Sequence, residues 1–94
     1  MSDLFDWDDA NRSHLARHGV APEEAEQVLV NNPLELDAQY IDGEWRFPSV
    51  GLTHPGRWLV VVTTIRDGKT RVLASFDAPK KLIAVYLRKK GRMN

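Results

Sequence analysis

Ninety-four residues, 43% of them hydrophobic and with three Trp, three Phe and two Tyr, supply a single core of modest size. The chain has no cysteine, which excludes disulfides and thiolate metal sites and fits a reducing compartment. Net charge is zero, yet residues 1–44 hold eleven acids against two bases and residues 45–94 hold eleven bases against two acids. Such a split implies either a basic working surface with an acidic remainder, or two halves that neutralise each other across the fold.

The longest apolar run, Trp58 to Val62, is too short to span a bilayer. The acidic N-terminus lacks the basic and apolar regions of a secretory signal. The expectation is a soluble, cytoplasmic protein with no membrane contact. No repeat, low-complexity tract or linker divides the chain, so residues 1–94 read as one domain.

In chain order, Asp8 offers a cap to a helix over about 9–18, which Gly19 stops. A second helix starts at Pro22, with Glu23 and Glu24 in its first turn and an apolar stripe of Ala25, Val28 and Leu29. Asn31-Asn32-Pro33 ends it. The period then changes to two: Leu34, Leu36, Ala38 and Tyr40 alternate with polar residues as in a half-buried strand. Asp42-Gly43 predicts a tight hairpin into a strand from Glu44 to about Leu52. After the turn Thr53–Gly56, Trp58 to Ile65 is apolar on both faces and reads as the central strand. Asp67-Gly68 predicts a last hairpin, to a strand from Thr70 to Phe76. Asp77 then caps a helix with Pro79 in its first turn, running to about Lys90. The expected class is α+β: two helices, a four-stranded antiparallel meander and a C-terminal helix.

A two-residue turn at Asp67-Gly68 sets Thr64 opposite Arg71, Val62 opposite Leu73 and Val60 opposite Ser75. Leu59, Val61, Ile65, Val72, Ala74 and Phe76 then form the apolar face toward the helices, leaving Arg71 on the open side. Asp42-Gly43 pairs Gln39 with Arg46. Counting across Thr53–Gly56 places Arg46 on the other face from Arg71 unless a bulge at Pro48 or Gly51 intervenes.

Walker, dinucleotide and Gly-x-Ser-x-Gly signatures are absent. His14 and His18 share one helix face but lack a third ligand and the glutamate of the zincin pattern, so no metal is expected. Arg46, Arg57, Arg66 and Arg71 lie on or beside strands; singly each suits an ion pair or a solvated edge. Two guanidiniums converging on an open face match phosphate oxygens. His54 occupies an exposed turn where it can move protons near neutral pH. Tyr86 shares the last helix with Leu82 and Ile83, as a core aromatic with a wet hydroxyl would. Lys80, Lys81, Arg88, Lys89 and Lys90 on that helix form a solvated face or a tract for phosphates or an acidic partner.

Phe5-Asp6-Trp7-Asp8, His18-Gly19-Val20, Glu23-Glu24-Ala25, Gly43-Glu44-x-Arg46, Gly51 and Gly56-Arg57-x-Leu59-Val60-Val61 occur in this order. Arg71-Val72-Leu73-Ala74, Ala78 and Tyr86 continue the series. Over almost the whole chain it resembles the BrnT-type toxins of bacterial type II toxin–antitoxin pairs. The resemblance implies a RelE-like ribonuclease fold, cofactor-free and metal-independent RNA cleavage, and a DNA-binding antitoxin in a hetero-oligomer with the toxin. It places Arg46, Arg71 and Tyr86 at the catalytic face. Arg57, Lys80, Lys81, Lys89 and Lys90 are the RNA- or partner-binding residues on this reading, with the antitoxin across the sheet edge and last helix. Many members read Ser-Ala-Arg-x-Ala where this chain has Ala74-Ser75-Phe76-Asp77-Ala78, so Phe76 replaces an arginine, and Leu82 replaces a common glutamate.

The leading expectation is thus a toxin endoribonuclease in which a 2′-hydroxyl attacks the adjacent phosphate. Arg46 and Arg71 hold the developing charge, and Tyr86 positions or protonates. The alternative, favoured by Phe76, is a catalytically weak toxin-fold protein acting as a binding module for an antitoxin-like partner. A metal-dependent hydrolase built on His14 and His18 is a third class.

Overall fold

In the computed structural model, which describes residues 4–91, the first helix starts at its expected cap. The ends of the expected 1–94 domain, residues 1–3 and 92–94, lie outside the described residues. Helix α1 (Asp9–Ala16) begins at Asp8, whose carboxylate accepts the Asn11 amide at 3.1 Å. The Asn11 side-chain oxygen accepts the Asp8 amide at 2.8 Å in return. This reciprocal pair satisfies donors that a helix start leaves open. The His18 and Gly19 amides close back onto Leu15 and Ala16, and Gly19 takes φ +67°, where a Cβ is disfavoured. Helix α2 (Pro22–Val30) follows, with the Glu24 carboxylate accepting the Ala21 amide at 3.0 Å.

The expected first strand is broken in two, β1 (Leu34–Glu35) and β2 (Gln39–Ile41), both antiparallel to β3 (Glu44–Leu52). The reason lies on β3. Pro48 accepts the Leu36 amide at 2.9 Å but has no N–H to return, and the pairing register steps by one residue across the gap. Tyr40 is therefore exposed and not in the core. Central strand β4 (Trp58–Arg66) lies between β3 and β5 (Lys69–Asp77), so the antiparallel order is β1-β3-β4-β5, with β2 also on β3. Both Asp-Gly pairs form two-residue turns with positive φ at each residue, the geometry of type I′ hairpins.

Helix α3 (Lys80–Gly91) is not capped by Asp77, which ends β5 instead. The Pro79 carbonyl accepts the Leu82 and Ile83 amides at 3.0 and 3.2 Å, so the helix starts beyond it.

Leu59, Val61 and Val72 face α1 and α2, packed with Leu15, Val20, Ala25 and Val28 in the main core. Gly51 also faces α2; a Cβ there would meet Val28 at 3.2 Å, so this glycine permits close approach and makes no bulge. The bulge lies on β5. The β4–β5 register shifts between Val62 and Thr63, so Val62 pairs with Ala74 and Val60 with Phe76. Ala74 and Phe76 consequently face α3, a correction to the face expected for them. Ser75 takes the inner position, fully buried, its hydroxyl donating to the Val60 carbonyl at 2.9 Å.

The outer edge of β5 is covered by the N-terminal segment. Phe5 bridges Thr70 in parallel, and the Thr70 amide and carbonyl bond Leu4 and Asp6 at 2.8 and 2.9 Å. Buried Asn11 completes the cover, donating from Nδ2 to the Asp6 and Val72 carbonyls at 2.9 and 3.2 Å. Asn11→Ala should cost roughly 2–3 kcal/mol, because it strands buried carbonyls as well as losing a cap. Thermal unfolding should show Tm lower by on the order of 10 °C; Asn11→Asp, which cannot donate, should resemble Ala.

Candidate functional site

Arg71 stands opposite Thr64 across the β4–β5 ladder. Arg46 lies one residue past the last β3–β4 pair, Phe47 with Thr63, which sets it beside Thr64 on the other side. The connection from β3 to β4 is five residues, 53–57, one longer than the turn counted from sequence, and this brings Arg46 to the same face as Arg71 without a bulge. The two backbones are thus about 10 Å apart, two strand spacings. This face is the one opposite α1 and α2. α3 crosses it nearer the Trp58 end of β4, leaving the Thr64 end open.

The two arginines are held differently. Arg71, with a side chain only 10% exposed, donates from Nη2 to Asp8 at 3.1 Å and from Nη1 to Asp6 at 3.4 Å. Arg46, with a side chain 31% exposed, lies 3.8 Å from Glu44. In both, Nε is buried and has no hydrogen-bond partner. Arg66 and Lys69 alternate to the same face, the former bonded to Glu44 at 3.1 Å.

Other expected site residues go elsewhere. Arg57 is a half-buried brace: its guanidinium donates to Asp77 at 3.0 Å, to Glu24 at 3.0 Å and to the Gly19 carbonyl at 2.9 Å. Sequence spacing gave no sign of these partners, which engage the guanidinium expected to bind RNA or the antitoxin. Tyr86 packs edge-on against Trp58 with ring centroids 4.9 Å apart. Trp58 is six residues along β4 from Thr64, roughly 20 Å, so Tyr86 is not brought to the arginine pair. Lys80, Lys81 and Lys89 are exposed on α3, while Lys90 donates to Asn32 at 3.0 Å. Lys89 also lines a groove of about 560 Å³ between α3 and the broken first strand. His14 and His18 lie ring to ring at 5.7 Å, and among the described residues no three His, Asp or Glu side chains are placed to hold a metal. No helix among the described residues is long and apolar enough to cross a membrane.

A family model described as "Ribonuclease toxin, BrnT, of type II toxin-antitoxin system" matches residues 7–81. The chain belongs to the BrnT family. It is therefore a ribonuclease toxin of a type II pair, with RNA as substrate and an antitoxin as partner. The match includes Arg46 and Arg71 and ends before Tyr86. A search of curated proteins finds no match.

In this BrnT chain the Arg71 hydrogen bond is the main reason that the Asp8 carboxyl sits below its ordinary value of 3.8, with the Asn11 amide acting in the same sense. Arg71 is raised in turn, chiefly by Asp8. A carboxyl depressed by folding contributes stability that is complete above its unfolded value and is lost as pH falls through the folded one. Asp8→Asn, which keeps a capping oxygen but no charge, should be less stable than wild type at neutral pH. The gap should close as pH drops below 3.8, measured as urea midpoints across a pH series.

Proposed function

We propose that this BrnT toxin cleaves RNA without a metal, with Arg46 and Arg71 clamping the scissile phosphate at the open end of the sheet. The observation that carries this reading is that Arg46 and Arg71 flank Thr64 on one face, two strand spacings apart. Phosphate oxygens match a pair of guanidinium forks in charge and shape. The 2′-hydroxyl oxygen attacks phosphorus as its proton passes to solvent water, the P–O5′ bond breaks and the 5′-oxygen takes a proton from water, and charge growing on the non-bridging oxygens falls between two guanidiniums. Arginine stays protonated at any working pH, so it stabilises charge and carries no proton. Tyr86 is a packing residue in this scheme. Lys80, Lys81 and Lys89 extend a positive field along α3 for the RNA backbone.

Phe76 and Leu82, which stand where the family resemblance implies an arginine and a glutamate, line the same groove under α3. A charged pair exchanged together for an apolar pair keeps the contact and leaves no unpaired charge. This supports catalysis over the binding-module alternative, because the missing arginine belongs to α3 docking on this reading. The architecture suits a RelE-like ribonuclease forming one domain and working in the cytoplasm, held in a hetero-oligomer by a DNA-binding antitoxin.

Purified protein should cleave RNA in excess chelator. Arg46→Ala should lower kcat/KM on the order of hundredfold with the circular dichroism spectrum unchanged. Arg71→Lys, which keeps the charge beside Asp6 and Asp8 but loses the fork, should do the same. Cleavage that chelator abolishes, or that survives both substitutions, overturns the clamp.

A further inference from the structure

Past the main core, strand alternation sorts the sheet end by chemistry. Arg46, Arg66, Lys69 and Arg71 take one face, and Trp45, Phe47 and Ile65 take the other. This second face is only partly covered by α2. Ile65 is 57% exposed, Trp45 54% and Phe47 40%, with Val30 of α2 at 67% beside them. Trp45 is braced edge-on by Tyr40, ring centroids 5.3 Å apart. Between them runs a groove of about 490 Å³ lined by Phe5, Leu29, Val30, Phe47 and Ile65.

We infer that this apolar face is where the antitoxin docks, through an apolar segment with basic flanks. Contiguous exposed apolar surface of this kind marks a macromolecular interface, and aromatic side chains over a groove are the usual anchors. Charge selects the occupant. The charged residues lining the groove and the shallower depression that continues it are Glu35, Glu23 and Glu26, with no Lys or Arg among the described lining residues. Carboxylates repel RNA phosphates. In a symmetric dimer the same patch meets itself, so a second copy would bring acid against acid. A protein segment with Lys or Arg flanking its apolar centre satisfies both features. The place differs from the α3 surface expected from sequence, where bases are abundant but the aromatic pair Trp58 and Tyr86 is partly buried, whereas Tyr40 and Trp45 are exposed.

The inference rests on the antitoxin partnership of the BrnT family and not on the arginine clamp. The probe is the product of the adjoining reading frame, co-expressed and purified, with binding followed by surface plasmon resonance. Phe47→Asp with Ile65→Asp should weaken Kd on the order of hundredfold, mostly through faster dissociation, while RNA cleavage and the circular dichroism spectrum stay unchanged. Glu23→Gln, Glu26→Gln and Glu35→Gln together should slow association and flatten its salt dependence. Unchanged affinity in the Asp variant overturns the docking site, as does loss of RNA cleavage in a folded Asp variant. Wild-type protein that self-associates alone, and turns monomeric on the Asp substitutions, makes a second copy the occupant and equally overturns it. A wild-type protein that binds the antitoxin through this face but cleaves no RNA sinks only the clamp.

Discussion

Asn11 ties three segments of the chain together. Its side chain accepts the Asp8 amide and donates to the carbonyls of Asp6 and Val72, joining the N-terminal segment, α1 and the edge of β5. Edge strands present open backbone groups, and β5 carries a bulge just beyond Val72 that interrupts its ladder there. A buried amide meets the donor and acceptor demands of that place together. The position of Arg71 follows from it, because the residues that grip its guanidinium, Asp6 and Asp8, flank the same tie. One strand edge, kept shut, therefore fixes both a helix start and an arginine on the far face.

The charge asymmetry of the sequence becomes an asymmetry of layers. Acids concentrate in the segment that leads into α1 and on α2, bases on α3 and on the strand positions that face away from those helices. Arg57 crosses the divide and is consumed in doing so: with Glu24 and Asp77 it clamps the start of α2 to the end of β5. The strand and α3 bases that remain for anions lie on one side of the sheet, with Arg12 and Arg17 of the α1 region on the other.

Element order and both Asp-Gly hairpins were legible in the sequence because they depend on local chemistry: caps, periodicity and left-handed turn residues. Facing was legible only as far as the count stayed regular. Arg71 was placed correctly because it precedes the β5 bulge, and Ala74 and Phe76 were misplaced because they follow it. Arg46 was miscounted by a single turn residue. The break between β1 and β2 depends on Pro48 of a neighbouring strand, and the brace at Arg57 on partners 20 and 33 residues away. No local pattern encodes such contacts. Proline in the middle of an otherwise regular strand was the one available hint of the break, since it must leave a ladder bond unmade.

The alternation of bases and apolar residues at the open end of the sheet has an evolutionary side. Arg46 and Phe47, or Ile65 and Arg66, are sequence neighbours that look in opposite directions, so their chemistry is sorted by parity alone. Gaining or losing one residue within β3 or β4 would exchange the two surfaces wholesale, with no single side chain altered. Length variation in descendants of this chain should therefore be excluded from those strands and collect in the exposed part of the 53–57 connection, where the ladder closes behind it.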